Sequence, residues 1–365
     1  MRFWYIQLIM RKLGSFLFWL CLVFLFSSCY SRSATIRTRS ISVDGIQAAE
    51  EEDSAALTRG LVLYPEDAEL PVSSFGEIWA YLVAGREHTL KAEYPLTDIG
   101  YFSADVDSYG SLSDIPDRKN ISFFKGRVHL VSTCNGRALT HFVLAEGSRE
   151  RKELIRDLLK ASEAFDGLQI DYENVAPKDG EAFLSFLKEL RLGLKDKIFT
   201  IALPARTRSL SEDVYDYRNI LPFVDRILVM AYDEHWSTSA PGPIASMGWC
   251  RRVALYSMET IGAEKLIMGL PFYGRSWGDI NPNRAYYHSG IERMREEQGF
   301  PEIQREDGIP NFNYTIPLSV TVYYEDEYSL AVRLGMYKRL GVSSVGFWCL
   351  GQETPAFWPL LSVSR

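Results

Sequence analysis

The sequence has few cysteines, no excess of positive charge and no glycine-rich nucleotide motif. Five cysteines among 365 residues are too few to hold together a disulfide scaffold. Lys and Arg total 40 against 47 Asp and Glu, a formal charge of −7, which argues against a protein that coats nucleic acid. Hydrophobic residues make up 47% and charged residues 24%, so a mainly disordered chain is also excluded.

A long apolar run is found only at the start of the chain. Arg2, Arg11 and Lys12 supply a positive region before the run Leu13–Phe26, whose 14 residues suit the apolar region of a signal peptide. A membrane-spanning helix needs about 20 residues. Small residues then lead to Cys29. The whole segment resembles a bacterial lipoprotein signal, in which the cysteine is lipidated and becomes the mature N-terminus. An uncleaved signal anchor is the alternative.

Composition divides the chain into three predicted parts. Residues 1–29 form the lipoprotein-type signal peptide, residues 30–72 a flexible polar tether, and residues 73–365 the folded domain. Removing the first part takes away three basic residues and leaves 37 positive against 47 negative side chains, a net charge of −10. We therefore expect an exported protein held at the cell envelope by a lipid anchor, or secreted or periplasmic without one. A nucleic-acid partner is not expected.

The three cysteines of the predicted domain offer little chemistry. Cys134, Cys250 and Cys349 lie in apolar or aromatic stretches, and their spacings suit no metal site. We predict buried free thiols, with one disulfide as the alternative. No metal and no cofactor are predicted, and we expect a monomer.

The rest of the chain alternates apolar strands with amphipathic helices. The predicted strands are Glu77–Ala84, Asp98–Val106, Arg127–Cys134, Gly167–Tyr172, Ile198–Pro204, Arg226–Tyr232, Lys265–Tyr273 and Ser344–Cys349. Helices are predicted at Glu150–Phe165, Lys178–Lys195, Arg251–Thr260 and Glu327–Leu340. Eight buried strands over this length favour an α/β fold of the (β/α)8 TIM-barrel type. A doubly wound sheet is the alternative, although no G-x-G-x-x-G follows the first strand. Gly278–Ser319 is predicted to be a loop or small insertion over the barrel mouth.

The fourth strand carries the acidic residues of interest. Because side chains alternate along a strand, Gln169, Asp171 and Glu173 share one face, while Ile170 and Tyr172 share the other. The two acidic Cα atoms would lie about 6.7 Å apart. Like charges at that distance raise one pKa, as a general acid requires near neutral pH. Glu173 comes last, at the strand end where barrel active sites lie.

Four motifs in order resemble glycoside hydrolase family 18, the chitinase family. The family pattern D-x-x-D-x-D-x-E is matched by Asp166, Asp171 and Glu173, with Gln169 in place of the second aspartate. The other three motifs are Met230-Ala231-Tyr232-Asp233, Gly269-Leu270-Pro271-Phe272-Tyr273-Gly274-Arg275 and Gly346-Phe347-Trp348. The stretch Asp233-Glu234-His235-Trp236, followed by Pro241-Gly242-Pro243, resembles the bacterial branch of spore-germination and cortex-lytic N-acetylglucosaminidases.

The resemblance implies a retaining, substrate-assisted hydrolase of β-1,4-linked N-acetylglucosamine polymers, either peptidoglycan or chitin. Glu173 would be the acid and base. Asp171 would hold the acetamido N–H of the sugar, and Tyr232 the acetamido oxygen. Trp348 would form the apolar floor, and Asp233 would contact sugar hydroxyls or set the protonation of the acid.

Other assignments are less specific. Gln169, Met230 and Tyr273 are predicted to contribute to substrate binding, and Asp166 with Gly167 to the structural part of the motif. Arg206, at the end of the fifth strand, is a candidate for binding substrate or for a surface salt bridge.

Alternative readings of the same residues stay open. The carboxylates could form a structural network, the aromatic residues could be core, and residues 233–235 could form a metal trio, although adjacent strand residues do not converge on one ion. A carbohydrate-binding lectin on a hydrolase scaffold is the second functional hypothesis. An inert structural envelope lipoprotein is the third.

Overall fold

The computed structural model describes residues 61–65, 67–278, 283–316 and 319–364. The predicted signal sequence, Cys29 and most of the predicted tether lie outside these residues. Eight parallel strands form the barrel: β2 Glu77–Val83, β3 Asp98–Val106, β5 Arg127–Thr133, β6 Gly167–Asp171, β7 Ile198–Pro204, β8 Arg226–Met230, β9 Leu266–Pro271 and β15 Ser344–Trp348. The short strand β4 Leu112–Ser113 pairs antiparallel with the end of β3. The order β2-β15-β9-β8-β7-β6-β5-β3, with β2 also paired to β3, closes the sheet into a barrel. The predicted TIM barrel is confirmed.

The observed strands match the eight predicted ones, and six of them end one or two residues earlier than predicted. Strand β8 ends at Met230 because the chain turns there, with the N–H of Ala231 bonded to the carbonyl of Val229. Asp233 then takes a left-handed conformation, at φ 59°, that no strand continues through. The polar residues after the strand ends are thus free to leave the sheet and line the mouth.

Most of the helices pack around the barrel. The helices are α1 Arg137–Leu144, α2 Arg149–Ser162, α3 Gly180–Leu194, α4 Tyr217–Ile220, α5 Met247–Thr260, α6 His288–Glu297 and α7 Glu327–Arg339. Helix α6 packs instead on the antiparallel sheet described below. The eight-residue helix α1 was not predicted, because only Thr140, Val143 and Leu144 of it are buried and the periodic signal is short. Buried Phe183, Phe186, Leu187 and Leu190 of α3 confirm the amphipathic face predicted there.

The stretch predicted as a loop or small insertion is an ordered subdomain. An antiparallel sheet in the order β11-β10-β14-β13-β12 packs with α6 around an apolar cluster of its own. Its strands are β10 Gly274–Gly278, β11 Arg284–Tyr286, β12 Gln304–Glu306, β13 Ile309–Thr315 and β14 Ser319–Tyr323. The sheet also includes residues just before and after the predicted insertion, since β10 begins at Gly274 and β14 ends at Tyr323. The subdomain therefore joins the barrel through two paired strands.

The chain ends of the domain are tied together beneath the barrel. β1 Ser73–Phe75 pairs in parallel with β16 Leu361–Val363. The end of the predicted tether also contacts the domain, since Tyr64 exchanges two backbone hydrogen bonds with the Tyr328 hydroxyl of α7. Leu61 and Tyr64 are partly buried against the apolar core, so this part of the predicted tether packs on the domain. No helix among the described residues is long and apolar enough to cross a membrane.

Side chains alternate between the barrel interior and the helix layer. On β6, Gln169 and Asp171 point inward, while Ile170 joins the core beneath the helices and the ring of Tyr172 stacks on Phe186 of α3 at 5.8 Å. The predicted facing of this strand is confirmed. The three cysteines of the described chain are buried free thiols, as predicted.

Candidate active site

A cavity of about 300 Å³ opens at the carboxyl ends of the barrel strands. Its lining residues are Tyr81, Phe102, Asp171, Glu173, Met230, Tyr232, Asp233, Tyr273, Arg275, Ala285, Trp348 and Gln352. Seven of them are predicted site residues, drawn from four different strands or the turns that follow. The position matches that of barrel active sites, because the βα loops of every strand meet at this face.

Asp171 closes the floor of the cavity. It is the last residue of β6 and is 8% exposed, and its Oδ1 atom has no hydrogen-bond partner among the described residues. Burial, and then the charge of Glu173, raise the pKa of Asp171 to about 8. An unpaired carboxyl group in this setting costs folding free energy. It is ready to accept a hydrogen bond from a molecule that enters the cavity.

Glu173 lies two residues further on, where the strand has ended. Its side chain is exposed to the cavity, and partial burial together with the charge of Asp233 raises its pKa above the usual value for glutamate. A carboxyl group that keeps its proton at higher pH, yet can be reached by a ligand, has the properties of a general acid.

The turn after β8 supplies the next polar group. Asp233 accepts hydrogen bonds from the Tyr273 hydroxyl at 2.7 Å and from Arg275 at 2.9 Å. Tyr232 lies beside them, with its ring edge-on to Tyr273 at 6.4 Å. Burial raises the pKa of Tyr232 well above 10, so its hydroxyl stays protonated and can donate a hydrogen bond.

Aromatic rings form the apolar wall of the cavity. Trp348, the last residue of β15, lies 5.2 Å from the Tyr81 ring and 4.9 Å from the Phe102 ring, measured between ring centroids. Trp348 is only partly buried, so one part of its surface faces the hollow. Such a surface suits the apolar face of a sugar ring.

Gln169, predicted to bind substrate, lies below the cavity rather than in its wall. Its carbonyl oxygen accepts from the Tyr81 hydroxyl at 2.5 Å, and its amide nitrogen donates to Thr200 at 3.0 Å. The residue is fully buried, and both ends of its amide group are occupied. Gln169 therefore supports the cavity floor, because the strand register places it one layer beneath Asp171.

Arg206 is not in the cavity either. It forms a two-bond ion pair with Asp213, at 2.7 and 2.9 Å, in the loop that follows β7. Asp166 and Gly167 also lie away from the cavity, at the start of β6. The carboxyl group of Asp166 accepts from the N–H of Val128, and a Cβ atom on Gly167 would come within 2.5 Å of the His129 ring. The structural part of the motif thus fixes how β6 packs against β5.

The three adjacent polar residues considered as a metal trio point in different directions. Glu234 accepts from the N–H of Ser246, and Nδ1 of His235 lies 2.8 Å from the carbonyl of Pro243. Asp233 faces the cavity. Within the described parts of the chain, no cluster of three or more His, Cys, Asp or Glu residues could hold a metal ion.

Sequence reasoning missed five of the lining residues: Tyr81, Phe102, Arg275, Ala285 and Gln352. Tyr81 and Phe102 lie near the carboxyl ends of predicted strands, which is a usable signal for site residues in a barrel. Ala285 and Gln352 carried no such signal, because the subdomain and the turn after β15 bring them to the cavity by tertiary packing alone.

The fold and the cavity define a class. A closed parallel barrel with two carboxyl groups and a tryptophan wall at its carboxyl face is the architecture of TIM-barrel glycosidases. The chain belongs to glycosyl hydrolase family 18, since residues 127–353 match that family.

Individual relatives agree with this assignment. The chain is 28% identical over 211 residues to the uncharacterized glycosylase YvbX of Bacillus subtilis strain 168, a match that covers 55% of this chain and 61% of YvbX. It is 25% identical to the cortical fragment-lytic enzyme of Bacillus anthracis, over 73% of this chain and 67% of that protein. The matched region is thus about three fifths to two thirds of the length of these relatives.

A solved structure shows the same fold. The crystal structure of the Bacillus cereus spore cortex-lytic enzyme SleL superposes with a TM-score of 0.71, at 22% sequence identity. The superposition covers 85% of this chain and 82% of the SleL chain. At that identity the likeness concerns the fold alone.

Proposed function

We propose that the chain is a retaining glycoside hydrolase that cleaves β-1,4-linked glycans containing N-acetylglucosamine, with assistance from the substrate. The observation that carries the proposal is the pairing of Glu173 with a buried Asp171 whose Oδ1 is unpartnered, in one cavity with Tyr232 and Trp348. The family membership supports the same reaction class.

Glu173 would donate its proton to the glycosidic oxygen as the bond to the leaving sugar breaks. The acetamido oxygen of the substrate would attack the anomeric carbon, so that an oxazolinium ion forms. Water would then attack the anomeric carbon and break its bond to the acetamido oxygen while giving a proton to Glu173, which returns the acid to its starting state.

Asp171 would act on the acetamido group. Both carboxyl groups have raised pKa values, so near neutral pH the pair holds at least one proton. An acetamido N–H that donates to Asp171 stabilises the ionised form of that carboxyl group, and this leaves the proton on Glu173. The ionised Asp171 would also balance the positive charge of the oxazolinium ion.

The remaining lining residues would hold the sugar. The Tyr232 hydroxyl would donate to the acetamido oxygen, and the exposed part of Trp348 would lie under the ring. Asp233, held by Tyr273 and Arg275, would contact sugar hydroxyls and, through its charge, keep Glu173 protonated. Met230 would fill the apolar space between them.

Peptidoglycan is the first substrate choice, and chitin or its oligosaccharides the second. The relatives that are named cortical fragment-lytic enzymes support the first choice. The test is to digest purified peptidoglycan and chito-oligosaccharides and to analyse the products by mass spectrometry, with the anomer of the new end followed by NMR. We expect cleavage after N-acetylglucosamine and a β-anomer that appears first. An α-anomer as first product would reject the retaining mechanism.

Binding without turnover would instead favour the lectin hypothesis. Calorimetry with chito-oligosaccharides and muropeptides, run beside the turnover assay, separates the two. A wild-type protein that neither binds nor cleaves any of these glycans would favour the third hypothesis, an inert structural protein of the cell envelope.

For location, we propose an exported protein anchored to the cell envelope through a lipid on Cys29. The supporting observation is the signal-like sequence before that residue. Labelling a bacterial host with a fatty-acid analogue should mark the wild type and leave Cys29→Ala unlabelled. Equal labelling of both proteins would contradict the anchor.

A further inference from the structure

The loop between β7 and α4 carries a buried tyrosine that none of the four motifs includes. Tyr215 lies in this loop, residues 205–216, and is 7% exposed. Burial raises the pKa of its hydroxyl to about 12, so the group is neutral and can both donate and accept a hydrogen bond.

The Tyr215 hydroxyl both donates and accepts a hydrogen bond at the turn that carries Glu173. It donates to the carbonyl oxygen of Tyr172 at 2.8 Å and accepts from the N–H of Val175 at 2.9 Å. These two backbone groups lie immediately before Glu173 and two residues after it. One side-chain atom thus bridges the backbone on both sides of the acid, just past the last ladder bonds of β6.

Tyr215 is itself held in place. Its N–H donates to Oδ1 of Asp213 at 3.1 Å, and Asp213 is paired with Arg206 through two bonds. Its ring packs edge-on against Phe183 of α3 at 6.1 Å. The ion pair therefore has a structural task, which explains why an arginine at the end of β7 lies away from the cavity.

The side chains of the turn are fixed as well. The ring of Tyr172 stacks on Phe186, and Val175 is buried. With neighbours locked on both sides and the backbone bridged by Tyr215, the Cα atom of Glu173 has little freedom. Among the described residues, no hydrogen-bond partner holds the carboxyl group of Glu173, so its position depends on the backbone of the turn.

We propose that Tyr215 is a positioning residue for Glu173, and that Arg206 and Asp213 support it. The inference rests on the proposed hydrolase function, and it adds a second structural element, the β7–α4 loop, to the machinery of the acid.

Placement matters because a general acid must lie within about 3 Å of the atom it protonates. Such proton transfer contributes about 10²- to 10⁴-fold to the rate, and a 1 Å misplacement costs about 10²-fold. Loss of the bridge should therefore lower the rate of steps that need proton donation, with little effect on binding.

The test is Tyr215→Phe, which removes the hydroxyl and keeps the ring against Phe183. The matched control is Tyr217→Phe. Tyr217 is 1% exposed, lies two residues away, and donates its hydroxyl to the carbonyl of Pro204 at 2.8 Å rather than to the Glu173 turn. Both variants leave one buried backbone carbonyl without its donor, and Tyr215→Phe also leaves the Val175 N–H without its acceptor, so we expect Tyr215→Phe to be the less stable of the two.

Two substrates distinguish a misplaced Glu173 from a general loss of rigidity in the active site. A chito-oligosaccharide has a poor leaving group that needs protonation, and its 4-nitrophenyl analogue has a good leaving group that hardly does. We expect Tyr215→Phe to lower kcat about 10- to 100-fold on the oligosaccharide, less than about 3-fold on the nitrophenyl substrate, with KM within about 2-fold. Tyr217→Phe should change both rates equally and by less than about 3-fold.

Equal losses on the two substrates, or the same pattern in Tyr217→Phe, would overturn the positioning role. An unchanged Tyr215→Phe beside an inactive Glu173→Gln would also overturn it, while the proposed function would stand. If the wild type does not cleave, the proposed function fails. Hydrogen exchange of the Val175 amide then still tests whether Tyr215 holds the turn that carries Glu173. Exchange at least 10-fold faster in Tyr215→Phe than in Tyr217→Phe supports the bridge, and equal exchange rejects it.

Discussion

The two ends of the barrel treat buried carboxyl groups in opposite ways. At the amino end, Asp98 of β3 is fully buried and lies within 2.8 Å of both Arg127 and His129. At the carboxyl end, Asp171 is almost as buried and has an oxygen without a partner. The same residue type is thus neutralised where it holds strands together and left unsatisfied where a ligand enters.

The pKa values follow the same division. Burial alone would raise the pKa of Asp98, but the hydrogen bonds from His129 and Arg127 outweigh it and hold the pKa below its usual value. At the other end nothing offsets burial, and the pKa of Asp171 rises to about 8. Asp98 at the amino end therefore stabilises the fold, whereas Asp171 at the carboxyl end destabilises it and stays available to a ligand.

Asp98→Asn should have the largest effect on stability, a loss of about 3 kcal/mol in the free energy of unfolding near pH 7. The change removes the charge that pairs with Arg127 and leaves its buried neighbours with a weaker partner. Because the folded pKa is depressed, the wild-type advantage should be present above about pH 4 and shrink as the pH falls below it. Urea unfolding at several pH values measures this.

Asp157→Asn is the control for that measurement, since Asp157 forms an exposed pair with Arg156. It should cost less than about 1 kcal/mol. An equally small loss for Asp98→Asn would mean that the amino end is not held by its charges.

Asp171→Asn should lower kcat about 10²- to 10³-fold, because the developing oxazolinium charge loses its counter-charge. Its stability should change in the opposite direction to that of Asp98→Asn. In the wild type the folded state binds the proton of Asp171 more tightly than the unfolded state, so stability falls as the pH rises from about 4 to 8. The variant lacks this loss and should be more stable by about 1 to 3 kcal/mol above pH 8.

Thermal unfolding scans between pH 5 and 9 check the second part. A variant that is less stable than the wild type at pH 9 would show that Asp171 contributes to folding, contrary to the comparison of the two ends.

Gly167→Ala tests the packing of the amino end and should cost about 1 to 3 kcal/mol. The added Cβ atom would come within 2.5 Å of both the His129 ring and the carbonyl of Ile198. The control is Gly290→Ala in α6, where the nearest atom is 3.6 Å away and a small gain is expected. Denaturant midpoints of the two variants should therefore move in opposite directions, and a shared direction would argue against the clash.

Asp233→Asn should produce the smallest effect, a shift of less than about one unit in the pH profile. The charge of Asp233 raises the pKa of Glu173, so its removal lowers that pKa and the acid form is lost at lower pH. The alkaline limb of kcat/KM should move toward acid. A limb that stays in place would assign the raised pKa to burial alone.

Much of the barrel could be predicted from the sequence because its strands are near-continuous apolar runs that are buried on both sides. Alternation along β6 also predicted that Asp171 and Tyr172 would lie on opposite faces of the strand. What failed were features without periodic signal. The subdomain sheet has short strands around Phe312 and Val322, and α1 is too short to show a helical period.

Residue roles were harder to predict than residue positions. Arg206 follows a barrel strand, and the sequence left both substrate binding and a salt bridge open for it. Asp213, seven residues later, forms the salt bridge. Gln169 shares the face of the two acids but lies one layer too deep to reach a ligand. Both outcomes depend on side-chain partners supplied by other segments, which no pattern in the local sequence specifies.

The most direct test of the account is the turnover of Glu173→Gln on the glycan that the wild type cleaves, measured by product mass. We predict a loss of at least about 10³-fold in kcat, with a melting temperature equal to or above that of the wild type, because an exposed amide replaces an acid that carries no structural bond. Turnover within about 10-fold of the wild type would contradict the assignment of Glu173 as the proton donor, and with it the chemical distinction between the two ends of the barrel.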